Sequence, residues 1–335
     1  MRGSRWLPAL AVLLLPGAAF AADVTVVKGK DTVDFKLGQQ TIAKYQYAGT
    51  VQVEKGEGTK PLAKPFLWPV LAPNGMPVTR AWPMDRTGPD KTDHFHQKSV
   101  WFCHGDVIPE GIDLKGKHAV DFWSETAGHG RIVCTELTAE SNGVTSRNEW
   151  QTADGVKILD EDRRVTCLAS ETGRLFVFEC KLTASACNIT FGDTKEGSFG
   201  VRVNDAMRTE IATGGAVTSS DGSTATAPIK DNLPMWGKFA DWHDYSGTVG
   251  GKTGGIAIFD HPKNPSRAAW HTRGYGLMAA NPFGRAKSGF PALKGNTDLV
   301  TIEKGKSLTF KYAVYVHDGD AGAGKVAEMY EVFKK

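Results

Sequence analysis

Apolar and polar residues alternate with a period of two along much of this chain. Val33, Phe35 and Leu37 are separated by polar neighbours, and Ile42-Ala43-Lys44-Tyr45-Gln46-Tyr47 continues the habit. A strand sends successive side chains to opposite faces, so this alternation predicts half-buried strands. Between Arg174 and Leu182, residues Phe176, Phe178, Cys180 and Leu182 share one face, and Leu308, Phe310, Tyr312, Val314 and Val316 line up the same way near the end. Turn-forming pairs stand between the runs at Asn142-Gly143, Asp154-Gly155, Asp221-Gly222 and Lys304-Gly305, which suits antiparallel hairpins and not helical crossovers. The small, uncharged stretch 214–227 reads as two edge strands around the Asp221-Gly222 turn. Helical spacing is confined to the end, where Val326, Met329, Tyr330 and Phe333 recur at intervals of three and four. The pattern predicts an all-β fold: one large antiparallel β-sandwich domain over 22–335, with a short C-terminal helix capping its sheets.

The N-terminus changes the picture of where this domain works. Arg2 and Arg5 precede an apolar run from Leu7 to Phe20, broken by Pro8 and Pro16, and Ala19-Phe20-Ala21 offers a small-x-small cleavage site. That is the pattern of an export signal over 1–21, and it predicts a secreted or periplasmic product. No later stretch reaches the roughly 20 apolar residues of a membrane helix, so no membrane contact is expected after cleavage. A net charge of +3 in 335 residues, with no Lys/Arg run, does not suit nucleic acid. The five cysteines are too few and too scattered for a disulfide-built scaffold, and their odd number leaves one unpaired within a monomer. Cys180 with Cys187, or Cys134 with Cys167, could bridge in an oxidising compartment; otherwise the thiols pack as small apolar residues. Oligomeric state is not readable.

Candidate chemistry concentrates in a few stretches. Three of the nine histidines fall within Asp93 to Asp106. Imidazole titrates near neutrality and binds metals, so His94, His96 and His104 point to proton transfer, metal binding or sugar recognition. In an extended segment His94 and His96 would share a face with Cα atoms roughly 6 to 7 Å apart, and Phe95 would point the other way. Farther on, Val100, Phe102 and His104 share one strand face and Trp101 and Cys103 the other, which would bring His104 out at the strand end beside Asp106. His104-Gly105-Asp106 also matches half of an iron facial triad, with His271 as third ligand and Arg273 as a carboxylate clamp. In Gly192 to Arg202 the glycines would let backbone approach a ligand, Lys195 and Arg202 would neutralise a carboxylate or enolate, and Glu196 would act as acid or base. Aromatic rings beside polar groups in Trp236 to Gly247, Ile256 to Pro265 and Trp270 to Gly276 suit sugar binding, with Trp236, Trp242, Trp270 and His261 as candidates. Core tryptophans account equally well for about half of these rings.

Taken in order, Thr79-Arg80-Ala81-Trp82-Pro83, Asp93-His94-Phe95-His96, Trp101-Phe102-Cys103-His104-Gly105-Asp106, Gly192-Asp193-Thr194-Lys195-Glu196-Gly197, Gly255-Ile256-Ala257-Ile258-Phe259-Asp260-His261-Pro262 and Ala279-Ala280-Asn281-Pro282-Phe283-Gly284 resemble the secreted bacterial "PmoA family" over most of the mature chain. The methane-oxygenase sense of that label does not suit a chain without membrane spans after its signal. The family's Asp-His-Pro-His-His-Arg stretch is Asp93-His94-Phe95-His96-Gln97-Lys98 here, so its third histidine is replaced by Gln97. Its Trp-x-Asp-Tyr stretch corresponds to Trp242-His243-Asp244-Tyr245 and marks Asp244 and Tyr245. The resemblance extends to carbohydrate-active sandwiches of the galactose mutarotase type, a fold-level analogy.

These readings predict a carbohydrate-processing protein with lyase, epimerase or hydrolase chemistry on a saccharide. His94, His96, His104, Glu196 and His271 would be acid/base groups, and Lys195, Arg202 and Arg273 would stabilise negative charge. Arg80, Trp101, Asp106, Asp244, Tyr245, His261 and Trp270 would bind substrate. This reading requires no cofactor. The alternatives are a non-catalytic glycan-binding module, or an enzyme using a divalent metal on the His-x-His or His-x-Asp pair.

Overall fold

A computed structural model describes residues 23–170, 172–229 and 233–335; the expected export signal at 1–21 lies outside them. Among the described residues, two large antiparallel sheets stack face to face. The first runs, in spatial order, through Val24–Lys28, Thr32–Leu37, Gln40–Gln46, Phe66–Val70, Val100–His104, Gly197–Arg202, Leu277–Asn281 and Ala269–Trp270. The second runs through Thr224–Thr226, Ala216–Ser219, Trp242–Val249, Lys252–Asp260, Ser307–Asp318, Gly173–Thr183, Lys157–Ala169, Gly143–Gln151 and Arg131–Ala139. This is the all-β sandwich that the alternation predicts. The Asp221-Gly222 hairpin forms the expected pair of strands at one edge of the second sheet.

The alternating residues form the seam. Phe176 meets Phe35 edge-on at 5.6 Å, Phe178 meets Phe199 at 4.9 Å, and Phe199 stacks on Tyr312 at 4.9 Å. Large apolar side chains buried in this way stabilise the fold by roughly 1.5–3 kcal/mol each. On the far side of the second sheet the helix Val326–Phe333 lays Tyr330 and Phe333 against Phe259. It caps the sheet, as its spacing predicts.

The same parity defines a second surface. Phe102 and Phe199 are register partners in adjacent central strands, and both point into the seam. Trp101, Cys103, Gly200 and Arg202 therefore lie on the opposite face of the first sheet. Trp101 crosses directly over Gly200, where a Cβ would come within 2.6 Å of its ring, and its edge meets Trp123 at 5.1 Å. The loops 79–98, 121–129, 192–196 and 271–276 gather over this outer face.

Candidate functional site

His94 and His96 lie on this outer face, although not in the extended segment that the sequence suggests. The backbone turns there, with Gln97 N donating to His94 O at 2.9 Å and His94 at φ +41°. The turn still brings the two rings together, 5.9 Å apart and nearly perpendicular, while Phe95 points away into a buried contact with Trp82. Two buried arginines hold the turn. Arg80 donates to Asp93 Oδ1 (2.6 Å) and to the Asp93 and His94 carbonyls (3.0 and 3.1 Å). Arg202 donates to Asp93 Oδ1 (3.1 Å) and to Gln97 Oε1 (2.7 Å). Gln97 is thus an acceptor that fixes Arg202. Burial alone would raise the Asp93 carboxyl, but His94 and the two guanidiniums outweigh it and hold the carboxyl well below the usual range.

A second strip of chain comes to the same place. The loop 192–196 is tied down by Asn281, whose Nδ2 donates to Thr194 O at 2.9 Å, and by Asp193, which accepts from Arg285 N at 2.7 Å and Ser288 N at 2.9 Å. This fixes Lys195 and Glu196, whose side chains are about half and one third exposed and 3.9 Å apart. Burial raises the Glu196 carboxyl, opposed by Lys195, His94 and Arg273. His271 follows the Ala269–Trp270 strand; Trp270 faces the seam, so alternation turns His271 outward. Its Nδ1 lies 2.9 Å from Lys195 O. A carbonyl only accepts, so the proton sits on Nδ1 and Nε2 keeps its lone pair. That Nε2 is buried without a partner among the described residues. Burial, then Arg273, lowers the imidazole to about 3, so it is neutral in ordinary buffers. His96 is likewise pushed to about 3 by burial and Lys64.

Beneath His96 and Phe95 sits a triad of buried charges that composition does not reveal. Glu125 accepts from Lys64 at 2.7 Å and from Lys98, and all three side chains are essentially inaccessible. Burial alone pushes the Glu125 carboxyl up, but the two ammoniums overcome this and lower it to about 2. Lys98 falls to about 8 through burial, because the carboxylate is shared. Tyr275, also missed as a site residue, stacks on His94 and lies under Arg202 at 4.8 Å. Its signal was membership of the Trp270 to Gly276 stretch, but nothing in the spacing ties it to His94.

Several expected site residues are elsewhere. His104 does not emerge at the strand end: it shares the inward face of Phe102, is fully buried between Phe191 and Phe283, and has both nitrogens engaged by Gly192 O (2.8 Å) and Ser198 Oγ (3.3 Å). Asp106 lies against Gly192, apart from the His94 turn, so the His104-x-Asp106 half-triad does not form. Trp101 is buried under Trp123 and supports the site floor without reaching ligand. Trp270 is in the seam, stacked on His243 at 4.3 Å. Asp244 lies beneath the C-terminal region, paired with His317 at 2.7 Å and bonded to Ser246. His261 packs against Phe333, and Trp242 belongs to the same helix-capped cluster. Trp236 packs on Phe290. Tyr245 acts indirectly: its hydroxyl meets the Arg273 and Gly274 carbonyls at 3.2 Å and so holds the loop that carries Arg273 and Tyr275. The glycines at 192, 197 and 200 admit Asp106, His104 and Trp101, not a ligand, since a Cβ at each would come within 2.1–2.6 Å of those side chains. All five cysteines are free, with Cys103, Cys167 and Cys180 buried. Among the described residues no three His, Cys, Asp or Glu side chains are arranged to hold a metal ion, and no helix is long and apolar enough to cross a membrane. An open depression lined by Gln52, Gly56, Glu57, Gly58 and Thr59 lies on a separate two-stranded hairpin and offers one carboxylate with no converging partner.

Residues 32–331 match DUF6807, described as a family of unknown function. The chain belongs to that family. No curated protein matches the DUF6807 chain in sequence. Among solved structures it is similar to a GH36 α-galactosidase from Geobacillus stearothermophilus in complex with stachyose (TM-score 0.40, 8% identity), covering 90% of this chain and 41% of that one. The DUF6807 chain thus spans less than half of the galactosidase's length. It is similar over 88% of its length to 99% of a putative aldose 1-epimerase from Escherichia coli (TM-score 0.37, 10% identity). A galactose mutarotase related enzyme from Lactobacillus acidophilus is matched over 98% of its length and 89% of this chain (TM-score 0.28, 11% identity).

Proposed function

We propose that the outer face of the first sheet binds a saccharide and performs acid/base chemistry on it, of the lyase, epimerase or hydrolase type. The observation that carries this reading is the unpartnered Nε2 of His271, whose Nδ1 is held by the Lys195 carbonyl, next in the chain to the part-buried Glu196 carboxyl. His271 is neutral with a free lone pair, the form a general base needs, and burial favours the protonated form of Glu196, which a general acid needs. Arg273 and Lys195 flank the pair and would stabilise negative charge that develops on an oxygen. Imidazoles, guanidiniums and a carboxyl gathered on one face of the sheet suit a ligand dense in hydroxyls, which both donate and accept. The leader-like N-terminus and the resemblance to the secreted PmoA-type family support action outside the cytoplasm.

The test is incubation of the mature protein with a panel of oligosaccharides, with products resolved chromatographically. Glu196→Gln and His271→Asn should each lower turnover by roughly 10²- to 10⁴-fold. Unaltered saccharides, or turnover undisturbed in a His94→Ala, His271→Ala double variant, would overturn the catalytic reading. Calorimetric binding without product on long incubation would assign a glycan-binding module instead.

A further inference from the structure

The buried cations around this site outnumber the carboxylates that neutralise them. Lys64 and Lys98 share the single carboxylate of Glu125. Arg80 and Arg202 share Asp93, with further help from Asp205, which lies 3.8 Å from Arg202 and also favours the charged form of Arg80. Arg273 has no carboxylate: its guanidinium lies 5.7 Å from the Tyr275 ring centroid, and its Nε is buried without a partner among the described residues. A part-buried guanidinium without a paired carboxylate, with one buried N–H lacking a partner, suits a planar or tetrahedral oxyanion. His271 cannot supply that charge, being neutral, and the nearby Glu196 is drawn toward its uncharged form by burial.

We propose that the saccharide taken by this face is anionic, with its oxyanion, a uronate carboxylate or a sulfate ester, bound by Arg273 while a neighbouring hydroxyl donates to His271 Nε2. This assignment rests on the saccharide reading above and adds the ligand's charge to it. Placement of the oxyanion at Arg273 leaves the acid/base pair free to act on the adjacent ring carbon or glycosidic oxygen.

Calorimetry with matched oligosaccharides tests it. The arms are a uronate-containing oligosaccharide, its carboxyl-reduced counterpart, a sulfated oligosaccharide and its desulfated counterpart. One anionic arm should bind roughly 10- to 100-fold more tightly than its neutral counterpart, as expected for a charge-assisted hydrogen-bonded pair, and that arm identifies the oxyanion. Arg273→Gln should abolish the preference and Arg273→Lys should keep part of it. Equal binding of anionic and neutral partners in the wild-type protein overturns the anion assignment and leaves the saccharide reading intact. Failure of every arm to bind overturns both. The wild-type comparison alone decides, so a variant that misfolds does not blunt the test.

Discussion

The imidazole of His94 lies flat on the phenol ring of Tyr275, with centroids 4.7 Å apart and 10° between their planes. One residue comes from a left-handed turn early in the chain and the other from the loop before a late strand, so their contact joins the two halves of the site. Arg202 lies over the same ring and also grips Asp93 and Gln97. Aromatic pairs of this kind contribute about 0.5–1.5 kcal/mol. Tyr275→Leu should therefore leave the protein folded but free His94 to move, lowering kcat/KM on a responsive saccharide roughly tenfold; Tyr275→Phe should stay near wild type. Steady-state kinetics of the two variants, with circular dichroism as a folding control, gives the answer.

The acid/base assignment fixes the sign of a pH dependence. Glu196 works in its protonated form, so kcat/KM should fall as pH rises through its raised value. His271 is neutral down to about 3 and adds no acidic limb above that pH. Glu196→Gln should retain little activity and lose the falling limb. The same limb surviving in that variant would assign it to another group.

Removal of the shared carboxylate should damage the fold more than removal of one lysine. Glu125→Gln leaves Lys64 and Lys98 buried without a counter-charge and should destabilise by about 3–5 kcal/mol. Lys98→Met removes the surplus charge and should cost less. The Glu125 carboxyl lies at about 2 in the folded protein against an ordinary 4.5, so its stabilisation is present above the ordinary value and lost as pH falls toward 2. Urea unfolding between pH 3 and pH 6 compares the three proteins, and a flat profile for the wild type would contradict the assignment.

The Asp244–His317 pair behaves in the opposite sense. Burial alone lowers the His317 imidazole, but Asp244 outweighs it and raises it above its ordinary value. Its contribution is thus complete below the ordinary histidine value and lost as pH rises through the higher folded one. His317→Gln should remove that alkaline-side loss of stability and leave saccharide binding unchanged, because the pair lies under the C-terminal cap and not on the outer face. Thermal unfolding as a function of pH measures the first effect and calorimetry the second.

Much of the site was legible as residue types and little of it as geometry. The density of histidine marked the His94 turn, and the charged glycine-rich stretch marked Lys195 and Glu196, because such side chains are expensive to bury unless they are paired or used. Tyr275, Gln97 and the Lys64–Glu125–Lys98 triad were illegible as partners. Each depends on contacts between segments far apart in the chain, and no local pattern records which loop will cross which. His104 shows the converse: beside His94 and His96 in sequence, it became a satisfied core residue.

The sequence by itself determined the strands, their hairpins, the edge pair around Asp221-Gly222 and the amphipathic last helix, because each follows from a local period or a turn preference. It also determined that Trp101 and Phe102 must face opposite ways. Only the tertiary structure decided which of the two faces is the seam and which carries the site. Alternation fixes relative orientation within a strand, whereas the buried side is chosen by the second sheet that packs against it. That choice placed His104 and Trp270 in the core and left His271, Arg202 and the His94 turn on the outer face.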